Sequence, residues 1–139
     1  MQPIPYLFFK DNCREAVEAY GKIFGTEPEI MGFGDMPDEA KAEMPGVPDD
    51  AVMHASVKVG DGVIFASDDP SGDTPAIAGC NVAMSLDGEA ETRRVWDALA
   101  EGGEVRMALS PAFWTPLFGT LTDRFGTRWM IMQESDYGA

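Results

Sequence analysis

The chain has 139 residues, 45% of them hydrophobic, with 24 acidic against 10 basic side chains and a formal net charge of −14. That length and apolar content fit one folded domain with a sizeable core and exclude a disordered chain. The acidity, with no basic run to offset it, excludes nucleic acid and anionic lipid as partners, and the apolar runs are too short to span a bilayer.

In chain order, Ile4 to Phe9 reads as a strand and "NCREAVEAYGKIFG" as a helix. Asn12 and Glu15 have capping-box spacing, Ala16, Tyr20, Ile23 and Phe24 form an apolar stripe, and Gly25 is the expected stop. Glu27 to Gly34 is a second strand. Met36 to Asp50, "MPDEAKAEMPGVPDD", is acidic and proline-rich and is expected to lie outside any sheet. "AVMHASVKV" and "GVIFASD" are strands joined by a hairpin turn at Asp61-Gly62, and Asp68-Asp69-Pro70 is expected to form a turn.

The same order then returns. Asn81 to Leu86 is a strand and "GEAETRRVWDALAEG" a helix with Thr92, Val95, Trp96 and Leu99 as its stripe and Gly102 as its stop. Glu104 to Leu109, Phe118 to Thr122 and Arg128 to Gln133 are strands, the last two turning at Asp123 to Gly126. The helix-stop glycines, Gly25 and Gly102, are 77 residues apart, and the hairpin glycines, Gly62 and Gly126, 64 apart. The first half therefore carries an extra segment of about 13 residues, placed in Met36 to Asp50. The frame is two βαβββ modules, about 1–70 and 79–139, in a single domain. Alternation in the last strand sends Trp129 and Ile131 under a helix and Met130 and Met132 to the other face, where two such modules would enclose a cavity.

The segments "PYLFFKDNCREAVEAYGKIFG", "VMHASVKVGDGVIFASDDP" and "FGTLTDRFGTRWMI", in this order and in a duplicated frame, resemble the vicinal-oxygen-chelate superfamily of glyoxalase I, fosfomycin-resistance and bleomycin-binding proteins, and more closely its PhnB-like branch. The resemblance implies an α+β fold, with a curved mixed sheet around a cavity, and a homodimer. The branch has also carried a demethylubiquinone methyltransferase label, but no glycine-rich nucleotide loop follows the first strand here. In metal-dependent relatives His, Gln or Glu side chains from the first and fourth strands of each module hold one divalent ion. The matching positions here are Pro5, Phe65, Asn81 and Met130, a set without the hard donors such an ion needs.

The function this implies is binding of a small, partly apolar molecule in the cavity, with no metal and no cofactor. A glyoxalase-type metal-dependent lyase or isomerase is the alternative. The cavity candidates are Leu7, Phe9, His54, Phe65, Ser67, Asn81, Ala83, Trp114, Met130 and Met132. His54, the only histidine, reads either as a polar anchor or general base, or as a histidine on a sheet surface. Trp114 walls the cavity or packs at a dimer seam. Glu134, on the parity of Met130 and Met132, reads either as a polar group at the cavity rim or as a solvated acid. Cys13 and Cys80, in different segments and without a CxxC partner, are expected to be packed thiols in a reducing, cytoplasmic protein.

Overall fold

A computed structural model describes residues 1–135; the last four residues of the expected second module lie outside them. The chain divides into two compact units, Met1–Pro75 and Ala76–Ala139. Each has the expected βαβββ order and is α+β. The first contains β1 (Tyr6–Phe9), α1 (Cys13–Phe24), β2 (Glu29–Gly32), a 3-10 turn (Phe33–Asp35), the short α2 (Asp38–Ala42), β3 (Val52–Val59) and β4 (Gly62–Asp68). The second contains β5 (Val82–Leu86), α3 (Glu89–Ala100), β6 (Glu104–Ala112), β7 (Thr115–Thr122) and β8 (Arg128–Gln133). The two sheets have the same open topology, β1-β4-β3-β2 and β5-β8-β7-β6. In each, the first strand pairs parallel with the last and the other pairs are antiparallel.

One face of each sheet is covered by its helix. In the first unit, Leu7, Ala55, Val57, Ile64 and Ala66 share a parity and are buried together with Ala16, Val17 and Tyr20 of α1. In the second, Thr92, Val95, Trp96 and Leu99, the stripe read from the sequence, are all buried, as are Leu121, Trp129 and Ile131. Gly119 is what lets the Trp96 indole lie close to the strand. A Cβ there would sit 2.7 Å from the ring, a distance no packed side chain tolerates.

α1 does not begin as the capping-box spacing predicts. Asn12 makes no side-chain cap. The amide of Cys13 donates instead to Oδ1 of Asp68 at 3.0 Å, while Oδ2 of the same carboxylate accepts the amide of Val52 at 2.9 Å. A side chain 55 positions away thus satisfies a helix-start donor that local chemistry would otherwise have to serve. At the other end Gly25 adopts φ 71°, the left-handed stop expected of it. Asp69, beside Asp68, forms the expected turn. Its carboxylate accepts from Ser71 and Thr74, and those hydroxyl bonds, Ser71 first, hold its pKa well below the usual carboxylate range.

The second unit has its own buried carboxylate. Asp123 accepts the amides of Phe125 and Thr127 through Oδ1 and the indole N–H of Trp129 through Oδ2 at 2.8 Å. It shapes the turn and locks the largest core side chain of β8 to it.

The inserted segment leaves the sheet where expected, after β2. Phe33 is buried, and the amides of Phe33 and Gly34 donate to the carbonyls of Ala51 and Asp49 at 2.9 Å, so the segment is zipped at its base. Beyond that base, α2 buries no residue. Replacing residues 37–47 with a short Gly-Ser linker is therefore expected to cost about 1 kcal/mol or less, since only closure entropy and surface contacts change. Asp68→Ala, which strands two amide donors, is expected to cost about 2–4 kcal/mol. Urea unfolding of both variants measures the contrast; equal losses would mean that the segment packs into the core.

Candidate functional site

With one face of each sheet under a helix, the other face carries whatever recognition the strands provide. In the first unit this face holds Tyr6, Phe8, His54 and Phe65. Tyr6 is registered beside Phe65; its ring lies 5.2 Å from Phe8 and 5.6 Å from His54. His54 meets Phe65 edge-on at 4.9 Å, and Tyr6 Oη shares a hydrogen bond with His54 Nδ1 at 3.0 Å. The result is an aromatic patch with one polar pair in it. Phe8 remains 51% and Tyr6 41% exposed, so the patch is accessible.

Of the candidates in this unit, His54 and Phe65 meet in that patch. Ser67 is on the same parity but is buried. Leu7 and Phe9 are placed on the opposite face, buried on the α1 side at 9% and 3% exposure. Tyr6 and Phe8, passed over in the sequence, occupy the open face. The reason is parity. Both alternating sets of "YLFF" are large and apolar, so alternation alone cannot say which set faces the helix. The register Leu7–Ala66 settles it, because Ala66 and Ile64 are buried.

The open face of the second unit carries Ala83, Met130, Met132, Phe118 and Thr120. Met130 is flanked by Ala83 and Thr120, and Met132 by Phe118. Trp114, in the turn between β6 and β7, meets Phe118 edge-on at 4.8 Å. Asn81 is not a free amide. Its Oδ1 accepts a hydrogen bond at 2.5 Å from Nη2 of Arg106, which also donates to the carbonyl of Leu121 at 3.0 Å. Arg106 was missed in the sequence because it sits at a bulge. Val105 pairs with Leu121 and Met107 with Thr120, leaving Arg106 as the extra residue that a period-two reading skips.

Two open grooves of about 490 and 440 Å³ border α1, one beside Glu18, Lys22 and Ile30, the other beside Arg14, Asp50 and Asp68. Both have charged rims, and neither includes a candidate residue.

The superfamily's metal does not fit this donor set. Proline and phenylalanine have no donor side chain, and methionine is too soft for a site that polarises oxygens. The remaining donor, Asn81, already holds the Arg106 guanidinium, whose positive charge opposes a divalent ion at that point. Among the described residues no three His, Cys, Asp or Glu side chains converge as a metal site would require.

Comparison with known proteins agrees with this architecture. A domain titled glyoxylase/bleomycin resistance protein/dioxygenase from Frankia sp. EAN1pec superposes with a TM-score of 0.59 at 14% identity, over 98% of this chain and 93% of that one, a likeness of fold. The chain belongs to the family described as 3-demethylubiquinone-9 3-methyltransferase, whose profile matches residues 2–132, in the PhnB-like branch of the vicinal-oxygen-chelate superfamily. Protein YjdN of Escherichia coli K12 is 33% identical, with 91% of each chain covered. The solved structure of protein PA1353 from Pseudomonas aeruginosa is 42% identical with a TM-score of 0.86, over 98% of this chain and 99% of that one. A PhnB protein from Bacillus cereus, titled a putative 3-demethylubiquinone-9 3-methyltransferase, has a TM-score of 0.78 at 20% identity, covering 96% and 100%. No helix among the described residues is long and apolar enough to cross a membrane.

The expectation of two packed thiols holds for Cys13 and fails for Cys80. Cys80 is exposed and Cys13 is buried, its pKa pushed from 9.0 up to about 12, first by burial and then by the Asp68 carboxylate. A thiolate is the nucleophile, so a thiol reagent near pH 8 is expected to modify Cys80 in the native protein and Cys13 only after unfolding. The same shift has a sign for stability. Above pH 9 the unfolded thiol loses its proton while the folded one keeps it, so stability falls as pH rises from about 9 towards about 12, by up to about 1.4 kcal/mol per pH unit. Cys13→Ala should remove that part of the slope; an unchanged slope would assign it to other groups.

Proposed function

We propose that this chain binds a small, partly apolar organic molecule on the open faces of its sheets and uses no resident divalent metal. The observation that carries the reading is the chemistry of the four superfamily ligand positions. Pro5, Phe65, Asn81 and Met130 offer one hard donor atom, and that atom is already bonded to a guanidinium. On each open face these positions sit in aromatic or thioether surface with isolated polar atoms. Burial of an organic ligand supplies the affinity there, and the polar pair on each face, Tyr6–His54 in the first unit or Asn81–Arg106 in the second, orients what that face binds. The thioethers of Met130 and Met132 suit ligands of more than one shape. The same reading takes the protein as a homodimer in a reducing, cytoplasmic setting, with Cys80 kept as a free thiol.

Elemental analysis of purified protein is expected to find no stoichiometric zinc, nickel or manganese, and addition of each is expected to leave Tm unchanged. Met130→Glu and Phe65→Glu should abolish binding of apolar small molecules found by thermal-shift screening. A stoichiometric ion that raises Tm, with lyase or isomerase activity that depends on it, would replace this reading with a glyoxalase-type enzyme.

A further inference from the structure

The open face of the second unit carries two arginines in an arrangement that the small-molecule reading does not by itself explain. Arg106 reaches from the bulge in β6 over the neighbouring strands, its Nη2 bonded to Asn81 Oδ1 and the Leu121 carbonyl and 3.4 Å from the Trp129 carbonyl. Arg128, next to Trp129 in β8, stands opposite Thr122 on the face shared with Met130 and Met132. The Nε atoms of both arginines are sealed from solvent and have no hydrogen-bond partner. A buried donor without an acceptor is costly, and native structures rarely leave one without a reason. Here there are two.

The charge balance sharpens the point. This chain has 24 acidic side chains, and Arg93 and Arg94 on α3 are each paired to a glutamate. Arg106 and Arg128 have no ion pair among the described residues. Glu104, an exposed side chain opposite Thr122, acts on Arg106 through its charge but does not close to a salt bridge. The two guanidinium groups are near enough that Arg128 lowers the proton affinity of Arg106, second to the effect of burial. Two like charges held together with unfilled donors are stabilised by an anion between them.

We propose that Arg106 and Arg128 form a binding site for an oxyanion, the carboxylate or phosphate head of a ligand whose apolar body lies along Met130 and Met132. The inference rests on the small-molecule reading above and specifies the chemistry of the ligand's head. A guanidinium fork matches the geometry of either oxyanion and gives charge-assisted bonds stronger than neutral ones. Thr122, beside Arg128, and Thr120, beside Met130, put hydroxyl-bearing residues on the same face. Along β8, Arg128, Met130 and Met132 follow one another at roughly 7 Å intervals, so the site reads as charged at one end and apolar over the next two positions, ending against Phe118.

The test uses the intact protein with 3-phenylpropanoate, its neutral amide and phenyl phosphate as probes in 0.15 M salt. Binding is followed by the Nε–H resonances of Arg106 and Arg128 and by calorimetry. Both acids are expected to bind saturably and move both Nε–H signals. The amide should bind at least about tenfold more weakly, the loss expected for one charge-assisted contact pair. The tighter acid identifies the preferred head. Arg128→Gln should bring the acids down to the level of the amide. If that variant does not fold, Arg128→Lys, which keeps the charge and loses the fork, should still weaken them several-fold. Equal binding of acid and amide, or acid binding that moves neither Nε–H signal, would overturn the anion site and leave the small-molecule reading standing. If none of the three probes binds, both fall.

Discussion

A carboxylate buried at the end of a strand is the interaction on which the rest of the first unit depends. Asp68 lies in the apolar layer between sheet and helix, where an unpaired charge would be very costly. It is tolerated because its two oxygens take the amides of Cys13 and Val52, the first residue of α1 and the first of β3. One side chain thus joins the end of β4 to the start of the helix and to the point where the inserted segment returns. Asp123 has the corresponding duty in the second unit, gathering a turn and the Trp129 indole. With each helix held to one face, the opposite face is left to side chains that need not make core.

On the reading proposed above, what occupies those faces sets this chain's chemistry apart from the metal-dependent members of its superfamily. Positions that elsewhere supply ligands are here a proline, a phenylalanine, an amide and a thioether. On that reading the Arg106 guanidinium bonded to Asn81 goes further than a missing ligand, because it places a fixed positive charge at one of those positions. The fold is conserved in shape with the Frankia domain at 14% identity. Such divergence is possible because the helix side does the folding and the other side is free to change.

The module order, the α3 stripe and the place of the insertion were legible in the sequence because each rests on a periodic or punctuating signal. The α1 stripe was half right: Ala16 and Tyr20 are buried, Ile23 and Phe24 only half-buried, and Val17 was missed. The stripe of Thr92, Val95, Trp96 and Leu99 repeats at helical spacing, and Gly25 marks a stop that needs a left-handed backbone. The start of α1 was not legible. Asn12 and Glu15 have the right spacing for a local cap, but a tertiary carboxylate wins the Cys13 amide. Neither was the orientation of β1, where both parities of "YLFF" are equally apolar. Only pairing with β4 shows that Leu7 and Phe9 go under the helix while Tyr6 and Phe8 join His54 and Phe65. Arg106 was hidden for a different reason, since a bulge has no period to read.

That bulge belongs to a wider irregularity in β6. Across nine residues the pairing with β7 shifts three times, and every third side chain, Arg106, Leu109 and Ala112, is half-buried in place of every second. β6 is also the last strand in its sheet order and carries exposed Val105 and Met107, with exposed Phe113 immediately after it. A straight apolar strand in that position would present evenly spaced amides and carbonyls, a template for stacking chain upon chain. Broken spacing denies an incoming strand a continuous register, so the distortion that delivers Arg106 to the open face also makes this edge a poor template for pairing with another chain.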